Sequence, residues 1–149
     1  MMIDFWKYDP LKDLWSQLND FPNLVYAFDI HGVQIGDKGY IAVEEYENQY
    51  IISLWEYNPE ADNWLQLPNV PIPSPQSNLS VVFSSNNFVY FGFDNSGVRE
   101  FRKYDIYNQT FSRICDNFGK PVYPKGVKIN GKTYLTSSDQ KFYLFKPNW

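Results

Sequence analysis

The 149-residue sequence holds one cysteine, Cys115, and one histidine, His31. A lone cysteine excludes an intrachain disulfide framework, and Cys115 reads as a small residue at the end of a strand. A lone histidine excludes zinc or copper sites built from several imidazoles of one chain. No apolar run approaches the roughly 20 residues that cross a bilayer as a helix, so no membrane partner is expected. The opening Met1-Met2-Ile3-Asp4-Phe5-Trp6 has no basic segment ahead of a hydrophobic stretch, so no signal peptide is visible. Positive charge is scarce too: 13 Lys and Arg stand against 17 Asp and Glu, a net charge of −4, which argues against nucleic acid as a partner. Sustained helical periodicity is missing, and Pro68, Pro71, Pro73 and Pro75 exclude helix from the longest connection.

What is present is aromatic and repetitive. At 19% aromatic and 20% charged residues the chain is too rich in large apolar groups for disorder, and its length suits one domain, 1–149. The stretch Leu54-Trp55-Glu56-Tyr57-Asn58-Pro59-Glu60-Ala61-Asp62-Asn63-Trp64-Leu65-Gln66-Leu67-Pro68 reads as strand, polar turn and strand. Its order of residue types returns at Phe5 to Leu18, at Phe101 to Ile114 and, shortened, at Tyr143 to Trp149. Tyr8, Tyr57 and Tyr104 stand 49 and 47 residues apart, a period that signals a propeller, solenoid or array. A second motif, Gly32 to Ile41, recurs at Gly126 to Leu135 and, with asparagines at its turn, at Val81 to Gly92. Its alternating apolar residues around Gly-Asp, Asn-Asn or Asn-Gly turns are hairpin signatures.

With the four strands of one unit labelled A to D, the chain runs C and D, A to D, A to D, then A, B and C. Strand A is expected near 30–35, 80–84 and 126–129, and strand B near 39–44, 88–93 and 132–137. Strand C is expected near 3–9, 50–58, 99–107 and 141–145, and strand D near 14–18, 63–67 and 110–115. The repeat units fall at about 1–23 (partial), 24–70, 71–118 and 119–149 (partial). In the C to D turn, Asp9 or Asn58 can accept a backbone N–H two residues on while Pro10 or Pro59 presets φ. Tyr57 and Trp64 then meet across the hairpin and offer an aromatic surface to a neighbouring sheet.

On these residues the chain resembles the kelch repeats: a strand B of the type Gly39-Tyr40-Ile41-Ala42-Val43, a strand C ending Tyr57-Asn58-Pro59, and a strand D opening on Trp64 and closing Leu67-Pro68. The resemblance implies an all-β, partial kelch-type β-propeller of about three four-stranded antiparallel blades, strand A innermost. Where kelch units usually carry a Gly-Gly pair at the end of strand B, this chain has Glu44-Glu45, Gly92-Phe93 and Ser137-Ser138. Propellers have about four to eight blades. An arc of three needs its end faces covered by further blades of a longer parent, by a second copy in a homodimer completing the ring, or by local closure.

The candidate binding residues lie on the B to C loops: Glu44, Glu45 and Glu47 in one unit, Asp94 and Asn95 with Ser96 and Gly97 in the next, flanked by a rim over 71–78. Asp29 and His31 fall on one side of a predicted strand, but no nucleophile motif accompanies them, and His31 reads as a loop or strand-edge residue. No cofactor or metal ligand set is read from the chain. The leading expectation is a non-enzymatic module that binds a protein or glycan partner through these loops. The competing one is a carbohydrate-active enzyme, a glycosidase or sugar isomerase type, with Glu44 or Glu47 as the acid. A third is a fragment of a longer propeller without independent function. Asn78-Leu79-Ser80 and Asn108-Gln109-Thr110 match the N-glycosylation pattern at a frequency near chance in an Asn-rich chain.

Overall fold

A computed structural model describes residues 4–22, 26–75, 77–95, 98–115, 125–136 and 140–146. Expectations placed on Ile3, Gln76, Ser96, Gly97, Ser137, Ser138 and 147–149, and on the side chains of Asn95 and Cys115, lie outside the described residues.

Each hairpin is closed by local chemistry. Asp9 and Asn58 accept the N–H of Leu11 and Glu60, both at 3.0 Å, and Asp105 accepts that of Tyr107 at 2.9 Å. Four residues after each of these anchors, Asp13, Asp62 and Gln109 take positive φ. The other hairpin type turns on Gly36, Asn86 and Asn130, also at positive φ, where Gly and Asn carry the smallest steric penalty.

These turns fold the chain into antiparallel sheets whose strands follow chain order. Strands β1 (Phe5–Asp9) and β2 (Leu14–Leu18) form a ribbon. Strands β3 (Ala27–Ile35), β4 (Lys38–Tyr46), β5 (Tyr50–Asn58) and β6 (Asn63–Leu67) form the first four-stranded sheet. Strands β7 (Asn78–Ser85), β8 (Phe88–Asn95), β9 (Val98–Asp105) and β10 (Thr110–Cys115) form the second. The three-stranded sheet is β11 (Gly126–Ile129), β12 (Lys132–Thr136) and β13 (Phe142–Leu144). The chain is all-β, and no described helix is long and apolar enough to cross a membrane.

The sheets bury their faces against one another in sequence. Tyr40, Ala42, Ile52 and Leu54 of the first sheet meet Val89, Phe91, Phe93 and Tyr104 of the second. Val81, Phe83, Tyr90 and Phe101, on the opposite face of the second sheet, meet Leu135 and Phe145. Under the ribbon, Phe21 packs edge-on against Trp55 and Trp64 at 5.1 and 4.7 Å, and Phe5 against Tyr57 at 4.9 Å. Tyr57 and Trp64 are register partners with rings 4.6 Å apart, the aromatic pair expected from the repeat.

The first strands of successive sheets lie side by side, β3 against β7 and β7 against β11. Side-chain hydroxyls link neighbouring sheets: Ser84 Oγ of β7 donates to the Gln34 carbonyl of β3 at 2.9 Å, and Thr133 Oγ1 of β12 to the Ser84 carbonyl at 2.8 Å. At the two ends of the array apolar groups stay in water, Trp6, Leu14 and Trp15 on the ribbon and Ile129 and Phe142 on the three-stranded sheet.

Candidate functional site

In a regular strand the side chains of Ala27, Asp29 and His31 would share a face, because side chains alternate with a period of two. A bulge between Ala27 and Asp29 breaks that rule: Ala27 stands opposite Glu45, and Asp29 opposite Glu44. Ala27 therefore joins Val43 beneath the ribbon, while Asp29 and His31 share the face of Glu44. The same irregularity recurs one sheet later between Leu79 and Val81, whose side chains enter different clusters.

Glu44 is buried, its side chain only 5% exposed. His31 Nε2 lies 3.1 Å from its Oε1, and the Tyr50 phenol donates to its Oε2. Asp29 Oδ2 stands 3.6 Å from the same imidazole nitrogen, while Asp29 Oδ1 accepts the Ile30 N–H at 2.8 Å. Tyr50 also accepts the Leu79 N–H at 3.3 Å, which ties the group to β7. Burial, followed by the Glu44 hydrogen bond and charge, holds the Tyr50 phenol well above the ordinary tyrosine range. The result is an imidazole between two carboxylates, one buried and one exposed, with one ligand atom from each within 4.8 Å of the others.

The other predicted residues are dispersed. Strand β4 runs on to Tyr46, so Glu44 and Glu45 are strand residues on opposite faces and not members of one solvated loop cluster. The strand extends because its carboxylates have partners: Glu45 accepts from Ser53 Oγ, whose oxygen also takes the Trp55 indole N–H at 3.1 Å. Glu47 alone of the three remains in the bend between β4 and β5, exposed. Asp94 and Asn95 likewise belong to a strand, β8, where their register partners across β9 are Arg99 and Val98.

Around that bend lie two hollows. One, of about 320 Å³, is lined by Tyr46, Asn48, Gln49, Tyr50, Ile72 and Pro75 and so joins the B to C loop to the expected rim. The other, of about 240 Å³, is lined by Tyr26, Glu45, Glu47, Asn48, Gln49 and Ile51. Asp94 lines neither.

Neither a model of a known protein family nor a curated protein matches the chain.

A larger cavity, of about 520 Å³, opens between the first strands of three sheets, with Gln34, Ser84 and Lys128 among its lining residues. Sequence reasoning missed this cavity and the Asp29, His31 and Glu44 group. The spacing of Asp29 and His31 is a partial signal for the latter, but their pairing with Glu44 is set by the register of the β3–β4 hairpin and leaves no mark in composition.

Proposed function

We propose that the chain is a partial kelch-type propeller of about three blades, acting as a non-enzymatic module that binds a protein or glycan partner through its inter-strand loops. The observation that carries this reading is the hollow shared by the β4–β5 loop and the segment after β6. Phenol rings of Tyr46 and Tyr50, amides of Asn48 and Gln49, and the apolar Ile72 and Pro75 are gathered there. Rings flanked by amides suit a ligand that is held by stacking and hydrogen bonds. The repeated order of strands, with β3, β7 and β11 around a common cavity, supports the propeller arrangement. The exposed apolar groups at the two ends of the array support a covering partner, for which a second copy of the chain is the simplest candidate.

The enzymatic alternative draws less support. Glu44 and Glu45 point to opposite faces, and Glu44 is held by His31 and Tyr50. The test is a screen of immobilised glycans and displayed peptides with the parent chain, Tyr46→Ala and Glu47→Ala. Binding by the parent, lost in both folded variants without any turnover of the bound ligand, is the expected result. Binding that both variants retain, or cleavage of a bound glycan, overturns the reading.

A further inference from the structure

We propose that Asp29, His31 and Glu44 form a binding site for one divalent first-row transition cation, of which Zn²⁺ is the type. With metal–ligand bonds of about 2.0–2.1 Å, the ligand atoms of a tetrahedral site stand about 3.3 Å apart. His31 Nε2 lies 3.1 Å from Glu44 Oε1 and 3.6 Å from Asp29 Oδ2, close to that edge length on both sides. The third edge, between the carboxylates, is within 4.8 Å and closes by rotation of Asp29, whose side chain is 59% exposed. One imidazole and two carboxylates favour a borderline cation over Mg²⁺ and Ca²⁺, which take oxygen ligands.

Two further features fit a metal better than an ordinary ion pair. Glu44 is a buried carboxylate whose one ion-pairing partner among the described residues is the single imidazole of His31. A divalent cation cancels both carboxylates at once. Beyond the ligands, the Tyr50 phenol fixes Glu44 Oε2 and is itself held by the Leu79 N–H. This is the kind of outer hydrogen bond that orients a ligating carboxylate. Three protein ligands leave the fourth position of a tetrahedron to water or to a donor from a bound partner.

The experiment titrates Zn²⁺ into the chelator-treated full chain by calorimetry, with Mg²⁺ and Ca²⁺ in parallel. The expected result is one equivalent of Zn²⁺ per chain and no comparable binding of Mg²⁺ or Ca²⁺. Asp29→Asn, at an exposed position where folding is not at risk, should weaken Zn²⁺ affinity at least about tenfold, and His31→Gln should abolish stoichiometric binding. Tyr50→Phe, which removes the hydroxyl that donates to Glu44 and accepts the Leu79 N–H, should weaken it about 10-fold to 100-fold. Co²⁺ in place of Zn²⁺ should give the visible absorption of a four-coordinate ion in the parent chain and lose it in Asp29→Asn. The proposal is overturned if the parent chain takes up no Zn²⁺, if Asp29→Asn binds as tightly as the parent, or if Ca²⁺ binds as tightly as Zn²⁺.

Discussion

Replacing Gly92 with alanine isolates how tightly the second sheet is packed. Gly92 lies in the middle of β8 between its register partners Val81 and Phe101. A β-carbon built there would come within 2.7 Å of Val81 Cγ1, 2.9 Å of Phe101 Cζ and 3.0 Å of Phe101 Cε1. Ordinary carbon contacts are about 3.5–4.0 Å, so the closest overlap is at least about 0.8 Å. Neither neighbour yields easily, since both are 3% exposed and valine is stiff about χ1. Overpacking of this kind costs about 1–3 kcal/mol. Against it stands the roughly 0.5–1 kcal/mol by which alanine outperforms glycine within a strand. The clash wins, and the net loss should be about 1–2 kcal/mol, or a fall in melting temperature of about 2–8 °C for a chain of this size. Gly32→Ala is the control, because nothing lies within 4 Å of a β-carbon there and the backbone preference acts alone. Urea unfolding of the three proteins measures the difference. If Gly92→Ala matches or exceeds Gly32→Ala in stability, the packing argument fails. Adding Phe101→Leu to Gly92→Ala should lessen the damage by more than the single effects add up to, which a double-mutant cycle detects.

Four other outcomes follow from the same structure. Leu54→Ala, at a position with no exposure in the cluster between the four-stranded sheets, should lose about 2–5 kcal/mol in urea unfolding. Asp62 accepts the Asn19 N–H and the Tyr57 hydroxyl, linking the ribbon's trailing segment to the first sheet, so Asp62→Ala should cost about 1–2 kcal/mol and quicken proteolysis near residue 19. Burial and then the Asp62 hydrogen bond push the Tyr57 phenol up to about 12 from 10.0, so the folded chain holds this proton more tightly than the unfolded chain. Its contribution to stability is therefore complete below pH 10 and lost as pH rises toward 12; a spectrophotometric titration should show the late step vanish in Tyr57→Phe. Light scattering on a size-exclusion column should give twice the chain mass of 17.6 kDa if a second copy covers the exposed ends, and Trp15→Glu should return it to one.

Much of the strand order was legible because the repeat carries its own punctuation. The expected strands at 14–18, 50–58, 63–67, 110–115 and 126–129 coincide with those observed, each bounded by an Asp, Asn, Gly or Pro turn. The ends of β4 and β8 were not legible. Expected to stop at residues 44 and 93, they continue through Tyr46 and Asn95. Charge there resembled a loop, yet a carboxylate can sit in a strand when partners from other strands reach it, as His31 and Tyr50 reach Glu44. Such partners are distant in sequence, and no local pattern announces them. The bulges at Ala27/Asp29 and Leu79/Val81 were hidden for a related reason. One extra residue shifts the face of everything before it without altering composition; the candidate site itself lies in the unshifted register and was read as a loop of glutamates because β4 was expected to end at Glu44.

The hydroxyl seams between neighbouring sheets bear on how the molecule responds to force. Within each sheet, many backbone hydrogen bonds share a load in parallel. Between sheets, apolar faces and the side-chain bonds of Ser84 to Gln34 and Thr133 to Ser84 join neighbours, and no backbone ladder does so among the described residues. Sheets linked in this way are loaded in series. Under tension applied at its ends, the chain should part at a seam and release one whole sheet at a time, so the array is as stiff as its seams and its sheets survive their separation.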